Sequence, residues 1–371
     1  MLRPPAILQV LPALGSGGVE RGTIEIAEAI SAAGLRAVVA SSGGRLVEEL
    51  EAVGGVHAEL PLDAKSPWFL WRNALRLKDI IRREGVRIVH ARSRAPAWSA
   101  LWAAKMTGAA FVTTYHGTYN EDLPGKRFYN SVMARGRPVI AISRFIAEHV
   151  HERHRVPHDG IRLIPRGVDL RRFDPTRVSS EQVARTRTEW RIPEGEAALL
   201  MPARLARWKG QAVLIEALQR VPRATVILAG DLANRERYQV ELESLAASLG
   251  VEKRVRFVGH VAEMAAALLA ADVVIHASTQ PEAFGRAIVE AQAMARPVIA
   301  ADLGGPRETV LHGVTGWLVT PGDAQQLAAR INEVLAMSAQ ERWRVGQVAR
   351  SQVPTIKAMQ AATVSLYLEL L

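Results

Sequence analysis

The chain has 371 residues, of which 49% are hydrophobic and 23% charged, and it contains no cysteine. This length and composition predict a globular protein of about two domains, and they exclude a disulfide framework, a thiol nucleophile and cysteine-ligated metal sites. The net charge of +10 is concentrated in residues 1–180, which hold 26 Lys and Arg against 17 Asp and Glu. This basic half indicates an anionic partner.

No segment resembles a membrane span or a signal peptide. Apolar runs fall short of the roughly 18 residues that cross a bilayer, and the apolar start, residues 1–14, leads into glycines rather than a small-residue cleavage site. We therefore predict a cytoplasmic protein, with peripheral contact at the inner face of the cytoplasmic membrane as an extension of that location.

Short apolar runs typical of strands alternate with helical periodicity along the chain. In the first half the predicted strands are 6–11, 36–40, 87–90, 111–115, 138–142 and 161–164, with helices such as 19–33 and 69–83 between them. The alternation stops in the polar segment 169–196 and resumes with strands 198–202, 225–229, 255–258, 272–276, 297–300 and 316–319. Such alternation predicts an α/β fold with two parallel, Rossmann-like sheets.

The polar break near residue 180 separates two predicted domains. We expect a Rossmann-like domain over 1–175, a second over 176–352, and a final helix over 353–371. Ligands of open α/β sheets bind at the carboxyl ends of the strands. Functional residues are therefore expected in the loops after strands, facing a cleft between the domains.

The loop after the first strand reads Gly-Ser-Gly-Gly-Val-Glu-Arg over 15–21. Gly17 and Gly18 would let the backbone approach an anion closely at the start of a helix. The third glycine of a dinucleotide fingerprint is absent, because Glu20 occupies its position. Taken alone, the motif also fits an ordinary strand-to-helix turn.

The loop after the first strand of the second half contains Arg204 and Lys209. Two cations five residues apart can converge on one diphosphate, where Arg204 contacts two oxygens and Lys209 acts as a point charge. A solvated basic loop is the alternative.

The segment Pro-Glu-Ala-Phe-Gly-Arg-Ala-Ile-Val-Glu-Ala, residues 281–291, follows another strand. Glu282 lies in the loop, and Glu290 lies eight residues later on a helix predicted to begin near Phe284. At about two helical turns apart, both carboxylates could face the same cleft and accept sugar hydroxyls. Glu290 has apolar neighbours, so we expect it to have a partner. Two surface acids are the alternative.

The same segment offers backbone donors. The N–H groups of Ala283, Phe284 and Gly285 at the predicted helix start are expected to hold phosphate or sugar oxygens.

Together these segments resemble glycosyltransferase family 4, the retaining group with the GT-B fold. Its hallmark is a pair of glutamates separated by seven residues and followed by an Ala-rich stretch and Pro-Val, here Glu282, Glu290 and residues 291–298. The resemblance extends over nearly the whole chain, with further matches at 15–18, 116–117, 142–143, 164–169, 304–308, 313–316 and the final helix.

The resemblance implies two Rossmann-like domains that face each other across a cleft, with the final helix crossing back to the first. It places the nucleotide mainly against the second domain and the acceptor against the first. It assigns the ribose of the donor to Glu290 and the transferred sugar to Glu282, and it places His116 beside that sugar. The other donor contacts that it implies are Arg204, Lys209, Gly17 and Gly18.

Two positions depart from the family pattern. Ala295 stands where glycine is usual, and Arg166 stands where asparagine is common. The second departure concerns the expected geometry on the acceptor side.

We therefore predict a retaining glycosyltransferase that moves a sugar from a UDP- or GDP-type donor to an envelope glycan, such as lipopolysaccharide, or a lipid-linked acceptor. No two of the ten Asp are separated by one residue, so no Asp-x-Asp metal motif is present, and we predict a reaction without metal or cofactor. The alternatives are an epimerase or phosphorylase of the same fold, or a non-catalytic binder of sugar nucleotides.

A second basic feature lies in the predicted helix near residue 70. Two tryptophans and several arginines predict contact with an anionic membrane or acceptor, and these residues are Trp68, Trp71, Arg72, Arg76, Arg82 and Arg83. An ordinary sheet-covering helix is the alternative. Nucleic acid is not a predicted partner, because no nucleic-acid-binding motif accompanies the charge.

Overall fold

The computed structural model describes residues 3–15, 17–64, 66–231 and 235–371, and the chain divides into two compact units. The first unit runs to Arg166 and also includes Ile356–Leu371, and the second unit is Gly167–Thr355. Among the described residues, no helix is long and apolar enough to cross a membrane.

Within the described residues, the first unit contains a parallel sheet of seven strands in the order β3-β2-β1-β4-β5-β6-β7. The strands are β1 (Ala6–Val10), β2 (Arg36–Ser41), β3 (Val56–Glu59), β4 (Val86–Ala91), β5 (Ala110–Tyr115), β6 (Val139–Ala141) and β7 (Ile161–Leu163). The sequence pattern missed β3. This edge strand reads Val-His-Ala-Glu. It contains no apolar run, because none of its side chains is fully buried.

The helices before the division of the chain are α1 (Gly18–Ala32), α2 (Val47–Ala52), α3 (Pro67–Glu84), α4 (Arg94–Thr107), α5 (Lys126–Asn130) and α6 (Arg144–His154). Helix α3 has clear start and stop signals. The Ser66 side chain accepts from the N–H of Phe69, and Pro67 suits the first helical position. Gly85, at φ 63°, ends the helix in the left-handed conformation.

In the part of the second unit that the structure describes, six parallel strands lie in the order β10-β9-β8-β11-β12-β13. They are β8 (Ala197–Pro202), β9 (Ala224–Ala229), β10 (Val255–Gly259), β11 (Val273–His276), β12 (Val298–Ala301) and β13 (Trp317–Val319). The helices are α7 (Ser180–Glu189), α8 (Gln211–Leu218), α9 (Glu236–Ser248), α10 (Met264–Ala270), α11 (Arg286–Ala293), α12 (Pro306–Thr309), α13 (Ala324–Ala336) and α14 (Ala339–Gln352).

Both sheets confirm the predicted α/β, Rossmann-like architecture. Central strands such as β1 and β9 are completely buried, as helices on both faces of a parallel sheet require. In each sheet the strand order reverses beside the first strand of the unit, between β1 and β4 and between β8 and β11. The loops after these strands therefore meet at the carboxyl edge of each sheet, where open α/β folds bind ligands.

The C-terminal helix α15 (Ile356–Glu369) belongs to the first unit and packs on α1. Tyr367 is fully buried, and its hydroxyl lies 2.6 Å from Nδ1 of His90 at the end of β4. The side-chain amide of Gln360 donates to the carbonyl of Glu25 at 2.7 Å.

The division of the chain differs from the predicted boundary at 175/176. Residues 167–175 pack in the second unit instead. The N–H of Val168 donates to the carbonyl of Pro354 at 2.9 Å, and Phe173 is buried with its carbonyl accepting from Arg350. These tertiary contacts decide the boundary, whereas the polar composition suggested a later position.

Candidate functional site

The loop between β8 and α8 presents the two predicted cations of the second unit. Arg204 is exposed, and its carbonyl accepts from the Gln211 side chain at 3.0 Å. Lys209 ends a short turn before Gly210, which has φ 81°. A Cβ on Gly210 would lie 1.9 Å from the carbonyl oxygen of Ala277, so only glycine fits there. This close approach places Lys209 beside the end of β11.

Glu282 is bonded to three side chains in this region. Its Oε1 lies 2.6 Å from Nζ of Lys209, and its Oε2 is bonded to Nε2 of His276 and to the hydroxyl of Ser278. Burial by itself would raise the pKa of Glu282. The hydrogen bond and charge of His276, with those of Lys209, outweigh burial and hold that pKa well below its usual range. The carboxylate is therefore ionised at neutral pH.

Two glycines hold the Glu282 loop in place. Glu282 forms a parallel β-bridge with Gly304, and the N–H of Gly305 donates to the Glu282 carbonyl at 2.7 Å. A Cβ on Gly304 would lie 2.6 Å from the Glu282 carbonyl oxygen, and one on Gly305 would lie 2.6 Å from that of Ala283. The backbone approach at this point requires residues without side chains.

Helix α11 begins at Arg286, two residues later than predicted. Gly285 is the residue before the helix, at φ 84°, so the N–H groups of Ala283 and Phe284 precede the helix rather than forming its first turn. Glu282 lies in the loop four residues before the helix. The segment between Glu282 and Glu290 is therefore part loop and part helix, with less helix than the two turns used in the prediction.

Glu290 does have the partner that its apolar surroundings predicted. Its Oε1 accepts from Nε of Arg286 at 2.9 Å, and only 17% of the Glu290 side chain is exposed. The sequence signal for this pair was available, because Arg286 lies one helical turn before Glu290. Beyond the helix, Ala295 has φ 53°, which explains why glycine is usual at this position in the family.

In the first unit, Gly17 precedes α1 and Gly18 is its first residue. Ser16 of the predicted loop lies outside the described residues. Arg166, which stands where asparagine is common in the family, is buried and donates to the carbonyl of Gly18. A Cβ on Gly22 would lie 2.4 Å from Nη1 of Arg166, so Gly22 leaves the space that the guanidinium occupies beside α1.

His116 follows β5 and lies near two cations, Arg92 and Arg166, that the sequence pattern did not connect with it. Burial lowers the pKa of His116 well below its usual value, and the charges of Arg166 and Arg92 lower it further. Its Nε2 is buried and has no hydrogen-bond partner among the described residues. His116 is therefore uncharged at neutral pH. The position of Arg92 directly after β4 was the signal that could have identified it.

The residues predicted for membrane contact all lie on α3. Trp68 and Trp71 are exposed in its first turns, and the arginines of the helix are exposed as well. Arg82 and Arg83 lie in its last turn, and Arg83 pairs with Glu84. At 1.5 Å per residue, Arg82 is about 21 Å along the helix from Trp68, so the structure does not bring these two groups together.

Two family models match the chain. Residues 16–172 match the model described as Glycosyltransferase Family 4, and residues 182–352 match the model described as Glycosyl transferases group 1. Together they cover most of both units.

Solved structures are similar over the whole chain. A glycosyltransferase from Rickettsia africae ESF-5 is 35% identical, with a TM-score of 0.91 and coverage of 100% of this chain and 99% of that one. HepE from Anabaena, in complex with UDP and glucose, is 28% identical, with a TM-score of 0.85 and coverage of 98% and 99%.

The similarity to curated proteins is partial. The D-inositol 3-phosphate glycosyltransferase of Geodermatophilus obscurus is 38% identical over 191 residues, which are 47% of this chain and 40% of that protein. The protein of the same name in Xylanimonas cellulosilytica is 35% identical over 55% of this chain and 50% of its own length. The chain thus matches half or less of the length of these relatives.

Proposed function

Because the chain belongs to the family 4 glycosyltransferases with the GT-B fold, as its sequence motifs predicted, we propose that it transfers a sugar from a nucleoside diphosphate donor to an acceptor. The observation that supports this most is the charge arrangement in the second unit. Arg204 and Lys209 follow β8, and Glu282 and Glu290 follow the neighbouring strand β11. Cations suit a diphosphate, and carboxylates suit the hydroxyls of sugars.

The donor's diphosphate binds to the two cations in this proposal. An ammonium group has three N–H donors, so Lys209 can hold Glu282 and still donate to phosphate oxygens. Arg204 is exposed and available to a ligand. Negative charge grows on the diphosphate as the sugar leaves, and fixed cations stabilise it without a metal ion. The UDP and glucose bound by HepE support a UDP-type donor.

Glu282 and Glu290 bind sugar hydroxyls of the donor. Lys209, His276 and Ser278 already occupy most of the roughly four acceptor positions of the Glu282 carboxylate. Glu282 therefore has a second role beyond contact with the transferred sugar, because it orients Lys209. Glu290, together with Arg286, binds the ribose.

The reaction proceeds with retention at the anomeric carbon in this proposal. Its transition state is a sugar with oxocarbenium character, so a protonated His116 would add a repelling positive charge directly beside that sugar. The lowered pKa of His116 keeps its imidazole neutral, so His116 can hydrogen bond to a sugar hydroxyl without this repulsion. The departing diphosphate assists attack on the same face.

The acceptor is an envelope glycan or a lipid-linked glycan, bound by the basic first unit. A curated relative supports this choice. The lipopolysaccharide core biosynthesis glycosyltransferase LpsE of Rhizobium meliloti is 33% identical over 154 residues, or 44% of its length.

A panel of UDP-, GDP- and ADP-sugars tests the proposal by calorimetry and by product analysis with NMR. We expect one donor class to bind and the product to keep the donor's anomeric configuration. Arg204→Ala should lose most turnover, whereas Arg207→Ala, the matched control whose partner is Glu241, should keep it. Sugar isomerisation without acceptor indicates an epimerase, a phosphate requirement indicates a phosphorylase, and binding without any turnover indicates a non-catalytic protein.

A further inference from the structure

Five aromatic residues on three helices of the first unit form an aromatic band, and three of them are exposed. The exposed fractions are 65% for Trp68, 47% for Trp71 and 66% for Phe128. Trp98 and Trp102 of α4 connect Trp71 with Phe128, and Trp68 lies about one helical turn before Trp71 on α3. The ring centroids of Trp71 and Trp102 are 6.1 Å apart, those of Trp102 and Trp98 are 5.9 Å apart, and Phe128 stacks on Trp98 at 5.1 Å. Exposed apolar residues that cluster in this way mark an interaction surface.

Cationic side chains contact the same rings. The guanidinium carbon of Arg72 lies 6.0 Å from the ring centre of Trp68, and that of Arg135 lies 5.0 Å from Trp98 and 5.8 Å from Phe128. Without Arg82 and Arg83 at the far end of α3, helices α3, α4 and α5 still hold seven Lys and Arg against two Asp and Glu. The chemistry of the band is therefore aromatic and strongly positive.

We propose that the aromatic band docks on a membrane that contains anionic phospholipid. Trp side chains favour the boundary between headgroups and acyl chains, and basic side chains are attracted to anionic headgroups. Stable binding to a membrane surface usually requires two such contributions, one apolar and one electrostatic. The contact centres on the first turns of α3 and on α5, so Lys126 and Arg127, which precede Phe128, take the place of Arg82 and Arg83.

This surface does not depend on the proposed sugar transfer, since the residues of the band lie outside the candidate donor site. The test is co-sedimentation with vesicles of phosphatidylglycerol and phosphatidylcholine, compared with vesicles of phosphatidylcholine alone. The protein should bind the anionic vesicles at least tenfold more tightly. The double variant Trp68→Ser with Phe128→Ser should bind the anionic vesicles at least tenfold more weakly. Both side chains are mostly exposed, and thermal unfolding checks that Trp98, on which Phe128 stacks, stays packed.

Charge variants locate the contact. Each basic residue near an anionic surface contributes about 1 kcal/mol, or roughly fivefold, so Lys126→Gln with Arg127→Gln should weaken binding roughly 25-fold. Arg82→Gln with Arg83→Gln should change it less than fivefold. Trp343→Ser is the matched control, because Trp343 is 54% exposed but belongs to the second unit.

Several results would overturn the proposal. Equal binding to both vesicle types, or no binding to either, would indicate that the band contacts a soluble acceptor or a protein partner instead of an anionic membrane. Full binding by the Trp68 and Phe128 double variant would remove the aromatic contribution. A larger loss on changing Arg82 and Arg83 than on changing Lys126 and Arg127 would show that α3 lies along the membrane instead. Thermal unfolding and UDP titration of each variant distinguish these results from misfolding and from failure of the donor site.

Discussion

Replacing Lys209 with methionine removes the charge beside Glu282 but keeps most of the side-chain volume. The ionised carboxylate would then lose its bond to Nζ, now 2.6 Å long, in a site where only 20% of its side chain is exposed. Breaking a buried ion pair from one side costs about 3–5 kcal/mol. We expect a smaller cost than this range, about 2–3 kcal/mol, because His276 stays bonded to Glu282 and some solvent reaches the carboxylate.

Calorimetric unfolding measures this effect. For a unit of this size, 1 kcal/mol shifts Tm by about 2–4 °C, so Lys209→Met should lower the Tm of the second unit by about 4–12 °C at pH 7. The matched control is Lys253→Met, which changes an exposed lysine of the same unit. The double variant Lys209→Met with Glu282→Gln should recover much of the loss, since no uncompensated charge remains.

The pH dependence of stability tests the same Lys209–Glu282 ion pair. The folded pKa of Glu282 lies below its ordinary value of 4.5, so the ion pair stabilises the fold above that pH and is lost as the pH falls further. The difference between the wild type and Lys209→Met should therefore shrink below about pH 4.5. The reasoning is refuted if Lys209→Met unfolds like Lys253→Met at pH 7, or if the double variant is no more stable than the single one.

Four further outcomes are expected. Glu290→Ala should weaken UDP binding by about 1–3 kcal/mol, or roughly 5- to 150-fold, and unchanged affinity by calorimetry in a folded variant would remove Glu290 from the ribose site. Because the pKa of His116 lies well below 6.5, its titration should not reduce turnover between pH 8 and 6.5. A decline in that range that disappears in His116→Asn would contradict this. Turnover should persist in EDTA, and loss that Mg²⁺ restores would require a metal. Gly305→Ala should lower stability by about 1–3 kcal/mol in denaturant titrations, because the new Cβ would meet the Ala283 carbonyl at 2.6 Å, and no change would show that the loop shifts freely.

The local patterns of the sequence were sufficient for the architecture. Apolar runs separated by helical periodicity identified twelve of the thirteen strands in the described part of the chain, because buried parallel strands must be apolar on both faces. The exception, β3, lies at a sheet edge where this requirement is relaxed. The spacing of motifs after strands identified Arg204, Lys209, Glu282 and Glu290 as candidates, since the carboxyl ends of parallel strands share one edge.

The pairing of these residues was decided by the tertiary structure. Glu282 meets Lys209 because β8 and β11 are adjacent in the sheet, although the two residues are 73 positions apart in the chain. Strand order likewise brings the charges of Arg92 and Arg166 near His116, and the packing of α3 on α4 forms the aromatic band. Periodicity and turn signals report only local conformation, whereas charge pairing, burial and the resulting pKa shifts depend on contacts between distant segments. The sequence by itself therefore determined the elements and the candidate residues, and the tertiary structure decided their partners and protonation.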